Sequence, residues 1–416
     1  MNVLLLTLVN LNDIDGNNVY QATLREFAKH HNQVFLVSPT EKKNNKKTHI
    51  IKKQNCMVLK VKTGNVVAAS NIIEKGIATI MLESQFISAI KKYFTNVKFD
   101  IVLYSTPPIT LAGAVKYIKK RDGAMTYLML KDIFPQNAID IGMMASKGVR
   151  GLMYKYFRCK EETLYGISDY IGCMSPANVK YVIEHNVGVN KTKVEVCANS
   201  IEAIDMSVDT DEKISLRRKY GIPEDRIVFV YGGNLGKPQD IPFIIRCLKT
   251  MEKVSKEYNA YFLIIGSGTE YYLLEEYVNS FNPKHVKLMS RIPKEDYDAM
   301  VGSCDVGLIF LDHRFTIPNF PSRLLSYMQA KLPVLACTDP NTDIGQVIEK
   351  GCFGYWCESN DSKAFMHRIE RMCHDDLNTM GQNAWNYLNA HYTVEQAYHT
   401  IMRHFEQEEK SERINI

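Results

Sequence analysis

The sequence predicts an α/β protein built from two tandem, doubly wound parallel sheets, followed by helices at its carboxyl end. Three observations carry this. Apolar runs of strand length recur along the chain, helical patterns lie between most of them, and one polar, acidic stretch divides the runs into two series. Strands that are apolar throughout belong in a parallel sheet covered on both faces. At 416 residues the chain exceeds one core of ordinary size, so two domains are expected.

In the first series the strand-like runs are Val3 to Val9, Gln33 to Ser38, Cys56 to Val61, Ile101 to Ser105, Met125 to Leu130, Tyr170 to Ser175 and Val194 to Cys197. Helical patterns cover Val19 to His31, Gln85 to Phe94 and Thr110 to Arg121. The segment from Asn199 to Asp211 carries Glu202, Asp205, Asp209 and Asp211 and reads as the linker. A short helix, Glu212 to Tyr220, opens the second series. Its strands are Ile227 to Tyr231, Tyr261 to Ile265, Val286 to Met289, Val306 to Leu311, Pro333 to Cys337 and Gly354 to Cys357. From Asp376 to Glu408 only helices are expected, the last opening at Thr393. The domains are therefore 1–198, joined by the helix at 393–408, and 212–390.

Hydrophobic residues at 45% and charged residues at 23% describe a globular chain. The apolar start lacks a basic flank, is too short to span a bilayer and meets Asn10, Asn12 and Asp13, so it reads as a buried strand. Most of the ten cysteines, including Cys173, Cys197, Cys304 and Cys337, sit in apolar patterns, which fits a reducing cytoplasm. None has zinc-site spacing. The net charge of +5 is modest and gives no reason to expect nucleic acid as a partner. The lysines at 42, 43, 46, 47, 52 and 53 read as a solvated face. Lys147, Arg150, Lys155, Arg158 and Lys160 interleave with Val149, Leu152, Met153, Tyr154, Tyr156 and Phe157. Such a helix either lies on an anionic membrane surface or packs against the core.

Chemistry is expected at strand ends. Strand Ile227 to Tyr231 runs into Gly232-Gly-Asn-Leu-Gly-Lys-Pro-Gln239, where Gly232, Gly233, Asn234 and Gly236 let a ligand approach the backbone and Lys237 brings a cation. The next strand ends in Gly266-Ser-Gly268, and the next delivers Arg291, suited to phosphate, and Ile292, whose backbone suits a base. Each alone also reads as an ordinary turn or a surface arginine. In Ile317-Pro-Asn-Phe-Pro-Ser-Arg-Leu-Leu-Ser326 a helix opens near Pro321 and Ser322, and its first-turn N–H groups make a site for an anion such as a diphosphate. In the first half Asp132 ends a strand, positioned either to take a proton from a hydroxyl or to cap the Phe134-Pro135 turn. Gly16, after the first strand, serves either close ligand approach or an Asp-Gly turn.

In order and spacing, these segments resemble glycosyltransferases of the GT-B fold. Gly232-Gly-Asn-Leu-Gly236, Ile264-Ile-Gly-Ser-Gly-Thr-Glu270, Asn319-Phe-Pro-Ser-Arg-Leu-Leu325 and Ala330-Lys-Leu-Pro-Val-Leu-Ala336 are similar to that fold's nucleotide-binding half. Tyr104-Ser-Thr-Pro-Pro-Ile-Thr110, Lys131-Asp-Ile-Phe-Pro-Gln136 and Ser168-Asp-Tyr-Ile-Gly-Cys-Met-Ser175 extend the likeness to the first half. Within the fold the chain looks most like family 4, specifically the bacterial N-acetyl-L-fucosamine transferases of capsule and O-antigen synthesis. The resemblance implies two Rossmann-like domains facing across a cleft and transfer of an N-acetylated deoxyhexosamine from UDP to a lipid-linked saccharide at the inner membrane surface. It implies Asp132, Lys237 and Arg323 as catalytic groups. Gly232, Gly233, Asn234, Gly236, Gly266, Gly268, Arg291, Ile292, Ser322, Leu324 and Ser326 would hold the donor, and Gly16, Ser105 and Gln136 the acceptor.

The departures are specific. Where members carry a glutamate before the Phe-Pro and another on the following helix, this chain has Pro318 and Ser326, and Gln136 replaces a common acidic residue. Asp13 with Asp15 and Asp209 with Asp211 do not read as metal pairs, since neither ends a suitable strand. In this reading cationic side chains and helix N–H groups neutralise the leaving diphosphate, and no bound metal or cofactor is expected. Two rivals are a UDP-sugar 2-epimerase and a degenerate scaffold binding a partner transferase. Stereochemistry, oligomeric state and the sugar itself stay open.

Overall fold

The computed structural model describes the chain apart from residues 17, 55, 67–71, 149–150, 253–256, 291 and 415–416. Two units emerge, residues 1–202 with 394–416 and residues 203–393. The first contains β1 (Asn2–Leu6), β2 (Gln33–Glu41), β3 (His49–Lys53), β4 (Cys56–Thr63), β5 (Ile101–Ser105), β6 (Met125–Leu130), β7 (Tyr170–Cys173) and β8 (Val194–Val196). They form one sheet in the order β3-β4-β2-β1-β5-β6-β7-β8. All neighbours pair parallel except β3 with β4.

The lysines at 42, 43, 46, 47, 52 and 53 are all exposed, as expected of a solvated face, but the antiparallel β3 within that stretch is not among the strands expected from sequence. Lys52 and Lys53 are exposed while His49, Ile50 and Ile51 are half-buried, so a charged edge strand carries a weak strand pattern. Helix α1 (Val19–Lys29) opens on a capping box between Asn18 and Gln21 and buries Leu24 and Phe27 against Leu5, Leu36 and Leu103. Helix α2 (Ile72–Tyr93) is longer than the Gln85 to Phe94 pattern, because Ile77, Ile80 and Met81 are exposed and break the apolar stripe. Helices α3 (Ala112–Asp122), α4 (Gln136–Asp140), α5 (Gly151–Ile167) and α6 (Pro176–His185) follow. Ser175 is not strand but the N-cap of α6.

In the second unit α7 (Thr210–Lys219) is capped by Asp209, whose carboxylate accepts the Glu212 N–H at 2.8 Å. The strands are β9 (Ile227–Asn234), β10 (Ala260–Ser267), β11 (Val286–Met289), β12 (Val306–Phe310), β13 (Val334–Thr338) and β14 (Gly354–Glu358), in the all-parallel order β11-β10-β9-β12-β13-β14. Counted within the unit this is 3-2-1-4-5-6, the doubly wound order in which ligands bind where the winding reverses, here between β9 and β12. Helices α8 (Ile241–Glu252), α9 (Tyr271–Phe281), α10 (Lys294–Gly302), α11 (Arg323–Gln329), α12 (Ile344–Lys350), α13 (Ser362–His374) and α14 (Leu377–His391) cover the faces. The last helix, α15 (Val394–Ile414), belongs to the first unit: Tyr398 stacks on His30 with ring centroids 4.0 Å apart, and Ile401 and Met402 join its core. Cys173, Cys197, Cys304 and Cys337 are buried. No helix among the described residues is long and apolar enough to cross a membrane.

Candidate active site

The carboxyl end of β9 meets that of β10 with glycine facing glycine. Gly233 pairs with Gly266 and Asn234 with Ser267. A Cβ on Gly266 would lie 2.0 Å from the Gly233 carbonyl oxygen, and one on Gly268 would lie 2.3 Å from that of Leu235. These two glycines thus let the β9 and β10 loops pack backbone against backbone. Gly233 has φ 136°, where a side chain is strained, and it is exposed together with Asn234. Asn234 Nδ2 donates to Gln239 Oε1 at 2.8 Å, which folds the loop back on itself. Gly236 starts the tight turn that bears the exposed Lys237.

Arg323 reaches this edge from α11. Its guanidinium carbon stands 4.2 Å from the Tyr231 ring centroid, and a Cβ on Gly233 would touch its Nη2. Tyr297 packs on Gly232, and the buried Tyr327 donates its hydroxyl to the Val230 and Leu308 carbonyls at 3.1 Å each. The guanidinium thus stacks on Tyr231 and lies where a side chain on Gly233 would stand. In the sequence Tyr231 stands out only as a strand end, and nothing marks Tyr297 or Tyr327. The α11 terminus differs from expectation. Leu324 N–H donates to Pro321 O at 3.2 Å and Leu325 N–H to Ser322 O at 3.1 Å, so a tight first turn already engages two amides expected to face an anion. Leu324 has its side chain in the core, Ser322 is exposed without a capping bond, and Ser326 is half-buried. Ile292 is half-buried, and Arg291 lies outside the described residues.

In the first unit the winding reverses between β1 and β5. Beside that point β5 ends in the buried Ser105, and Thr106 Oγ1 donates to the Asp132 carbonyl at 2.8 Å. Asp132 follows β6, and Asn137 Nδ2 donates to both its carboxylate oxygens at 2.8 Å. Burial outweighs these bonds and holds the carboxyl up at about 6. The preceding Lys131 is moved the other way, down to about 8, also by burial. Its Nζ donates to Asn199 Oδ1 at 2.6 Å and stands 5.7 Å from the Tyr20 ring centroid. In the sequence Lys131-Asp-Ile-Phe-Pro-Gln136 only the acidity of Asp132 marks a candidate, and nothing in the sequence signals the burial of Lys131. Gln136 Nε2 is bound to Asp140 at 2.7 Å, and the Gly16 carbonyl accepts Arg25 Nη1 at 2.6 Å, so both serve their own loops.

Asp13 Oδ1 accepts the Asp15 N–H at 3.1 Å, closing a local turn. Among the described residues Asp240, Asp312 and His313 have ligand-like spacing. Arg314 Nε and Nη2 donate to the two oxygens of Asp312 at 2.9 and 2.5 Å, and Arg246 stands 3.8 Å from Asp240, so arginines already balance both carboxylates. On α5, Leu152, Met153 and Tyr156 are exposed beside the exposed Lys155, while Leu164 and Tyr165 are buried. Val149 and Arg150 lie outside the described residues.

Comparison with known proteins finds glycosyltransferases in sequence and in fold. Residues 212–387 match the family described as Glycosyl transferases group 1. The chain is 22% identical over 326 residues to the probable glycosyltransferase WbjE of Pseudomonas aeruginosa, covering 78% of each. It is 21% identical over 255 residues to WcaI of Escherichia coli, assigned as a colanic acid biosynthesis glycosyl transferase, covering 61% of this chain and 60% of that one. The structure of Anabaena HepE in complex with UDP has the same fold, with TM-score 0.68, 12% identity and coverage of 98% and 100%.

Proposed function

We propose that this chain, a glycosyltransferase of the GT-B fold whose residues 212–387 match group 1, moves a sugar from a UDP-sugar to a hydroxyl of a lipid-linked saccharide during capsule or O-antigen synthesis. The observation that carries the donor half is Arg323, stacked on Tyr231 beside Gly233 at the winding reversal of the second unit. With Lys237 it supplies positive charge where a leaving diphosphate gains negative charge. The UDP in HepE and the polysaccharide role in the name of WcaI support the same direction. The sugar is read as N-acetyl-L-fucosamine or a related N-acetylated deoxyhexosamine, on the sequence resemblance alone.

On the acceptor side Asp132 takes the hydroxyl's proton or orients it, since a carboxyl held near 6 is largely ionised at neutral pH yet basic enough to act. The protein works at the inner face of the plasma membrane, touching it through Leu152, Met153 and Tyr156 of α5. Incubation with a panel of UDP-sugars and a lipid-linked saccharide fraction tests the reading. UDP release that requires the acceptor is expected. Epimerisation without acceptor, or no release from any UDP-sugar, would refute it.

A further inference from the structure

A groove of about 510 Å³ opens at the carboxyl ends of β1, β2 and β4, with Asn10, Asn12, Asn44, Lys46, His49 and Lys60 in its lining. No carboxylate lines it among the described residues. Lys60 is 2% exposed, and its Nζ donates to Asn10 Oδ1 at 2.5 Å, to Leu11 O at 2.8 Å and to Ser38 Oγ at 3.0 Å. Those three bonds use all its protons and fix the cation in place. Burial brings Lys60 down to about 8, and the charge of Lys46 acts in the same direction, so the two ammonium groups are near enough to repel. A buried cation facing a second cation, with only neutral partners, is relieved by an anion. The amides beside them suit hydroxyl groups.

The groove shares its sheet edge with Asp132. From β6 to β1 is two strand spacings and to β2 three, on the order of 10 and 14 Å. A saccharide whose reacting hydroxyl lies at Asp132 would reach the groove with its next residues. Resting on the acceptor reading above, we propose that this groove binds an oxyanion borne by the acceptor. The anion is either a carboxylate on the sugar or a phosphate of the lipid carrier; either offers Lys46 a charge-assisted hydrogen bond and the fully bonded Lys60 a compensating charge.

The test uses the full chain with its donor site filled by saturating UDP. Binding is titrated with a uronic-acid trisaccharide, a neutral trisaccharide of equal length, and inorganic pyrophosphate. At least one acidic probe is expected to bind about tenfold or more tightly than the neutral one, since a charge-assisted bond is involved. Lys46→Glu should remove that preference. Lys52→Glu, an equal change in charge at an exposed residue on the opposite face of β3 from His49 and Ile51, should keep it within about twofold. Preference for the uronate assigns the anion to the sugar, and preference for pyrophosphate assigns it to the carrier. Equal binding of the neutral trisaccharide, or equal effects of the two substitutions, would overturn the proposal. UDP binding, measured first, reports on the donor reading separately.

Discussion

Asp132 and Lys131 are adjacent, oppositely charged, and both pushed toward neutrality by burial. For Asp132 the folded carboxyl lies near 6 against an ordinary 3.8, so the native state binds the extra proton between those values. The cost of keeping it ionised is absent below about pH 4, grows as pH rises, and is complete above about pH 6, where it is on the order of 3 kcal/mol. Asp132→Asn is therefore expected to raise the Tm at pH 7 and to lose that gain at pH 4, while lowering kcat by about 10²–10⁴. The wild-type rate should fall below an apparent value near 6 and the residual rate of the variant should not. A Tm that drops at pH 7, with kcat unchanged, would make the residue a simple cap. Sequence exposed Asp132 because a carboxylate ending a strand is conspicuous. Lys131, Asn137 and Asn199 acquire meaning only when folding brings 131 to 199 and buries them.

At the scale of elements, strands announced themselves by apolar runs, and the ends of β9 and β10 by glycine. Gly233 and Gly266 were legible as backbone-approach residues. That they approach one another follows from the β9 to β10 register, and that Arg323 lies across the first follows from the placement of α11 after β12; neither is visible in one segment alone. β3 and the first half of α2 were not legible, because lysines and exposed apolar residues obscure their periodicities. Gly233→Ala meets both a positive φ and the guanidinium, and should cost about 1–3 kcal/mol of stability while displacing Arg323. In a double-mutant cycle read by UDP affinity, Gly233→Ala and Arg323→Ala should be less than additive. Full additivity would mean that the two positions act independently.

At the scale of the molecule, two doubly wound sheets follow from two series of apolar strands, and the order of strands in each is set by which edges pair. Amphipathicity left the role of the 147–160 stretch open, because exposure is a property of the fold. With Leu152, Met153 and Tyr156 exposed beside Lys155, vesicles containing anionic lipid should co-sediment the protein, less so at high salt. Leu152→Ser with Met153→Ser should weaken that binding, and binding equal to wild type would remove α5 from the account. The donor site itself is most directly read by calorimetric titration of UDP into the wild-type protein and into Arg323→Ala. Loss of a charge-assisted contact of about 1.5–3 kcal/mol predicts a Kd raised some tenfold to more than a hundredfold. Unchanged UDP affinity in the variant would contradict the placement of the diphosphate at the Gly233 edge.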